Sequence, residues 1–297
     1  MAEFWMEEIL KDCEEKGIPL WEYILRSECA SSGQSREEAL LRMSQLLSVM
    51  REAAAGGLSH PVHSTSGLTG GGAYQYHQYV QSGQSLLGPV LSDAVQMALS
   101  CSEVNAAMGR IAACPTAGSC GIVPAAVLSV GRHKGCSDEK KTESLFVATG
   151  IGMVIGEHAT LAGADGGCQA ECGAASAMAA AAVVYLLGGT DRQAVHGAAI
   201  ALKNLLGLVC DPVCGLVEIP CIKRNGTSVS IALTAADMAL AGIESYIPFD
   251  EVVTSMYAIG KALPSRLRET GRGGLAVTKT GLRMYETLYG RPMAMQG

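Results

Sequence analysis

Residues 171–191 read ECGAASAMAAAAVVYLLGGTD, and no charged side chain falls between Glu171 and Asp191. An uncharged run of about 20 residues is long enough to cross a bilayer. This one is mostly Ala, Gly and Ser around a short AVVYLL centre, which fits a closely packed helix inside a protein better than a membrane span. From Thr142 onward the same Ala- and Leu-rich composition returns in segments of helical length, broken by GADGG, LGGTD, GLVCDP, IPCIKRNGT and ETGRGG. Upstream, SREE at 35–38 is a capping box, followed by Leu40, Met43, Leu46, Leu47 and Met50 at helical spacing as far as Gly56-Gly57. A further helical segment is expected around 84–110. Alternating β-branched runs are nearly absent and aromatic residues make up 5% of the chain. The pattern predicts an all-α fold in one compact domain, with N-terminal helices over 1–57 and a core over 58–297.

At 297 residues the chain can bury a sizeable core without disulfide staples. Its net charge of −6, with basic residues scattered, argues against nucleic acid as a partner. The opening MAEFWMEEILKDCEEKG is acidic and amphipathic rather than a secretory leader, so a cytoplasmic location is expected. In a reducing compartment eleven cysteines, an odd number, read as metal ligands, catalytic groups or small buried hydrophobes.

Cys13, Cys29 and Cys101 fall in helical patterns and read as buried structural thiols, while Cys136 lies in the polar linker GRHKGCSDEKKT and is expected to be exposed. Seven remain: Cys114, Cys120, Cys168, Cys172, Cys210, Cys214 and Cys221. Pro212 makes CDPVC a turn rather than a helix interior. No zinc-finger spacing appears, and spacing alone leaves a thiol-built metal site and buried free cysteines as equal alternatives. Two loops stand out for their Gly, Ser and Thr content: HPVHSTSGLTGGGA at 60–73 and ACPTAGSCGIVP at 113–124.

Taken in order, HSTSGLTGGGA, CPTAGSCGIVPA, GADGGCQAECGAASAMAAA, NLLGLVCDPVCGLVEIPCIKRN and LPSRLRETGRGGLA resemble the α chain of the bacterial iron-sulfur L-serine dehydratases over roughly residues 60–276. The resemblance implies a 4Fe-4S cluster held by Cys168, Cys210 and Cys221, with one iron left without a cysteine ligand as a Lewis acid. It implies elimination of water from L-serine, giving pyruvate and ammonia. Cys172 and Cys214 receive no ligand role. The two loops then supply hydroxyls and N–H groups for the substrate carboxylate, through Ser64, Ser66, Gly67 and Thr69 and through Thr116, Gly118 and Ser119.

The general base is the gap in this reading. His63, in the first loop near His60, is a candidate, whereas His158 and His196 read as core histidines. Single-chain relatives carry an additional β portion with a GPSSSHT-like motif, which is absent here. A separate β subunit, in a hetero-oligomer, is therefore expected to complete the site. Some relatives end in a cysteine that occupies the open iron; this sequence ends RPMAMQG, so no such ligand is expected. A related L-cysteine desulfidase and a cluster-free scaffold partner are the alternatives.

Overall fold

The computed structural model describes residues 4–293, so the end of the RPMAMQG tail lies outside the described residues. Among the described residues there are thirteen α-helices, two isolated β-bridges and no sheet. In chain order the helices are α1 (Met6–Lys16), α2 (Leu20–Ser32), α3 (Arg36–Gly56), α4 (Gly72–Gln81), α5 (Pro89–Ala106), α6 (Ile122–His133) and α7 (Asp138–His158). They continue with α8 (Gly163–Gly166), α9 (Ala174–Leu186), α10 (Asp191–Lys203), α11 (Cys221–Leu240), α12 (Phe249–Ala262) and α13 (Lys279–Tyr289).

The Ala-rich run becomes α9, and every one of its 13 residues is buried. It packs against α6, α7, α10 and α11, so it forms the axis of the bundle. A helix apolar on all faces needs such a surrounding layer. Side chains of α1, α2 and α3, including Met6, Leu20 and Leu47, join the same core. Among the described residues no helix is long and apolar enough to cross a membrane.

Helix starts follow local chemistry. Ser35 accepts from the Glu38 N–H at 3.2 Å and its own N–H donates to the Glu38 carboxylate at 2.8 Å, closing the capping box of α3. Two helices without a side-chain cap of their own borrow one. Asp250 on α12 accepts from the Met6 and Glu7 N–H groups, each at 3.1 Å, and Asp191 on α10 accepts from Leu20 N–H at 2.9 Å. His158 stacks on Trp5 with ring centroids 3.4 Å apart, and His196 Nδ1 accepts from Ser245 N–H, so both belong to the scaffold.

Four details depart from the sequence reading, the first being Cys29, which is half-buried at the core's edge rather than buried. The stripe of α3 is rotated: Leu47 and Met50 are buried with Ala53 and Ala54, but Leu46 is exposed. The segment expected at 84–110 is α5 alone, and a separate helix, α4, precedes it, its N-terminus capped by the Glu103 carboxylate from α5. Cys136 is half-buried rather than exposed, because it packs against the core beside the Leu186 carbonyl.

One side chain docks the second loop on the bundle. Asn225, in α11, is wholly buried; its amide nitrogen donates to the carbonyls of Gly118 (2.8 Å) and Cys221 (3.0 Å), and its oxygen accepts from Gly121 N–H (2.9 Å). Asn225→Ala would leave buried main-chain groups unpaired, and we expect it to cost about 2–4 kcal/mol in denaturant unfolding. Ala180→Leu, in the wholly buried wall of α9, should cost about 1–3 kcal/mol by overpacking. Leu46→Ala should stay within about 0.5 kcal/mol of the parent. A large loss at Leu46, or none at Ala180, would contradict this packing.

Candidate active site

The three cysteines of interest arrive on three segments. Cys168 follows α8 and enters a single π-helical turn, Gln169–Gly173, a wide turn of the kind often found at functional positions. The turn is pinned by Gln169, whose N–H donates to Leu208 O at 3.0 Å and whose side chain bonds Met256 O and Gly207 N–H, each at 2.9 Å. It places the Cys168 and Cys172 sulfurs 3.4 Å apart. Cys210 lies in an extended strip beside the ETGRGG segment, donating to Leu267 O at 2.9 Å and accepting from Glu269 N–H at 2.8 Å. Pro212 and the tight turn Val213–Gly215 follow, as the proline implied. Cys221 is the first residue of α11.

The three thiols are buried and lie close enough to influence one another's ionisation. Burial pushes Cys221 up to about 12 and Cys210 further up, and the charge at Cys168 adds to both. Cys168 moves the other way: hydrogen bonding from the Cys172 thiol, and then the nearby Arg224 guanidinium, hold it below the usual thiol range. Cys172 is correspondingly held well above it, by that same bond and by burial. Arg224 is oriented by Val209 O and the Asp211 carboxylate, each at 2.9 Å, and Asp211 in turn accepts from Leu275 N–H at 2.8 Å. Among the described residues no three His, Cys, Asp or Glu side chains converge as they would around a single ion.

Both polar loops sit against these segments, and their hydroxyls turn to carboxylates. In the first loop, Ser66 and Thr69 both donate to Glu218 Oε2, at 3.0 and 2.7 Å. In the second, Thr116 donates to Glu171 Oε1 at 2.8 Å and lies 3.2 Å from Ser119 Oγ. Glu171 Oε2 is 3.8 Å from Cys210 Sγ. Burial raises the Glu171 carboxyl above its ordinary range against the pull of Thr116. That carboxylate lies against two glycines: a Cβ at Gly118 would stand 2.8 Å from Oε1, and one at Gly163 2.7 Å from Oε2, so either would displace the carboxylate from its present position. Asn105 Nδ2 donates to Ala117 O, and the neighbouring Ala106 carbonyl accepts from Thr65, so the end of α5 bridges the two loops.

The structure therefore gathers Cys168, Cys210 and Cys221 with Thr116, Gly118 and Ser119, and it ties Ser66 and Thr69 to Glu218, three residues before Cys221, with Ser64 and Gly67 held inside the same loop. His63 is not gathered with them: it is exposed and its ring has no hydrogen-bond partner among the described residues. Cys214 stands apart at positive φ, with its carbonyl accepting from Tyr289. Sequence reasoning missed Glu171, Glu218, Asp211, Arg224 and Asn225. The available signal was their polarity inside Cys-bearing motifs, as in CQAEC, GLVEIPC and CIKRN.

The model of the family described as "Serine dehydratase alpha chain" matches residues 15–276. The chain is 48% identical to a probable L-serine dehydratase, alpha chain, of Bacillus subtilis, across 96% of this chain and 95% of that one. It is 46% identical to an L-serine dehydratase, alpha chain, of Peptoniphilus asaccharolyticus, across 93% and 95%. The similarity to the L-serine dehydratase TdcG of Escherichia coli is 35% over 91% of this chain but only 60% of that longer protein. On the family match and these full-length similarities, the chain belongs to the serine dehydratase alpha chain family.

Proposed function

We propose that this chain is the α chain of an L-serine dehydratase, which eliminates water from L-serine and yields pyruvate and ammonia. The observation that carries the reading is the meeting of three buried, neighbouring thiols from separate segments with two polar loops. The donor set suits a 4Fe-4S cluster in kind. Thiolates are its ordinary ligands, and three buried thiols from separate segments lie near one another here. Cys168, Cys210 and Cys221 would hold it. When bound, the cluster would supply a Lewis-acidic iron without a cysteine ligand, favouring departure of the serine hydroxyl.

The chain's own residues do the rest. Arg224 keeps a positive charge beside Cys168, offsetting the charge of a buried thiolate. Cys172, 3.4 Å from the Cys168 sulfur, serves as a hydrogen-bonding neighbour and is given no ligand role. The loops at 64–71 and 116–121 orient the substrate carboxylate. Loss of the α proton and of hydroxide gives aminoacrylate, which tautomerises to an imine and takes up water to release ammonia and pyruvate. No side chain gathered at the site is a histidine, and we assign the proton acceptor to a separate β chain. The single-chain relative, of which this chain covers 60%, is consistent with such a division. Thiol chemistry of this kind suits the cytoplasm.

Two experiments test this. Cys168→Ser, Cys210→Ser and Cys221→Ser should each abolish the visible iron-sulfur absorption of anaerobically prepared protein, while Cys172→Ser and Cys214→Ser should keep it. An unchanged spectrum in any of the first three would remove that residue from the ligand set. Separately, the chain alone, with its cluster intact, should turn over L-serine poorly until the β chain is added. Full activity without it would place the base in this chain, and a preference for L-cysteine with sulfide release would move the reading to a desulfidase.

A further inference from the structure

Each serine or threonine hydroxyl carries one proton to donate. In the loop at 64–71 all of them are committed. Thr69 and Ser66 both give theirs to Glu218 Oε2, at 2.7 and 3.0 Å, which leaves the Ser64 proton for Ser66 Oγ at 3.1 Å. The oxygens are engaged as well: Ser66 Oγ accepts from Leu68 N–H at 3.0 Å and Ser64 Oγ from Thr69 N–H at 3.3 Å. The loop thus converges on one carboxylate that is only 5% exposed. That carboxylate belongs to the entry of α11, where the Glu218 carbonyl accepts from Ile222 N–H at 3.1 Å, next to Cys221.

We propose that Glu218 is a positioning residue for the reaction assigned above, holding the 64–71 loop in shape against the Cys221 segment so that the loop meets substrate through its backbone rather than its hydroxyls. The inference rests on that functional reading. Its geometric part is independent of it. Among the described residues, the N–H groups of Ser66 and Gly70 are the two in the 64–71 loop with no hydrogen-bond acceptor, inside the loop or outside it, and they are the donors we assign to a carboxylate. Glu218 touches no reacting atom in this account. It acts by fixing where those donors stand, so its loss should weaken substrate binding more than it slows the chemical step.

The test uses the anaerobically reconstituted two-chain enzyme with Glu218→Ala, Glu218→Gln and Thr69→Val/Glu218→Ala. Glu218→Ala should raise KM for L-serine roughly tenfold, with kcat within about threefold of the parent. Glu218→Gln should stay within about threefold in both, because an amide oxygen still accepts both hydroxyls. Adding Thr69→Val to Glu218→Ala should cost little more, since among the described residues the only side-chain contact of the Thr69 hydroxyl is Glu218, whereas Ser66 Oγ also accepts from Leu68 N–H. Amide hydrogen exchange over 64–71 should quicken in Glu218→Ala and not in Glu218→Gln. Should Glu218→Ala fail to fold, Ser66→Ala/Thr69→Val removes both donors and carries the same expectation. An unchanged KM with normal exchange would overturn the proposal. So would a collapse of kcat in Glu218→Gln, or an additive Thr69 effect, which would put the hydroxyl on the substrate. If the parent enzyme, with full iron content, fails to dehydrate L-serine, the functional reading falls, while the exchange comparison still decides whether Glu218 holds the loop.

Discussion

Asn225 commits both ends of a wholly buried amide to main-chain groups, joining Gly118 and Gly121 of one loop to the first turn of α11. A primary amide donates from its nitrogen and accepts at its oxygen, and it does so here without bringing a charge into the core. Four residues before it stands Cys221, and three before that Glu218, which collects the hydroxyls of the other loop. The start of α11 therefore sets the relation between both polar loops and one of the three thiols. The remaining two thiols are tied to it indirectly, through Gln169, which binds the Cys168 turn to the Cys210 strip, and through Arg224, which reaches from α11 to Val209 and Asp211.

Charge is managed by the same short segments. Carboxylates at 171, 211 and 218 lie among thiols in an interior that penalises unpaired charge. Arg224 answers Asp211 and favours ionisation of Cys168, while Glu171 and Glu218 are answered by hydroxyl donors. Space for Glu171 comes from glycines on both sides, so a motif that reads as a flexible connector works as the wall of a carboxylate slot. Glu269 is held at φ 63 beside Cys210, a backbone state that is costly for a residue with a Cβ and recurs at functional sites.

Much of the architecture was legible because it rests on local rules. The uncharged Ala run fitted a buried, closely packed helix better than a membrane span, the Ser35–Glu38 box marked the start of α3, and Pro212 implied a turn between Cys210 and Cys221. The details that escaped depend on tertiary contacts. Helix α4 borrows its cap from Glu103, some 30 positions away, so no local signal marks its start. Leu46 and Leu47 fit a helical stripe equally well until neighbouring helices choose between them. In the site, the resemblance singled out the hydroxyl-bearing residues but gave no hint that Glu171 and Glu218 would claim their protons, because those partners lie 55 and about 150 residues downstream.

The central claim is that Cys168, Cys210 and Cys221 form the protein side of an open-sited cluster next to the substrate loops. Its most direct test is the iron and sulfide content of anaerobically purified chain, with the visible spectrum recorded before and after addition of L-serine. The account predicts about four irons and four sulfides per chain, and a spectrum that shifts when L-serine binds. A chain that takes up no iron or sulfide under reconstitution, alone or with its β partner, would contradict it.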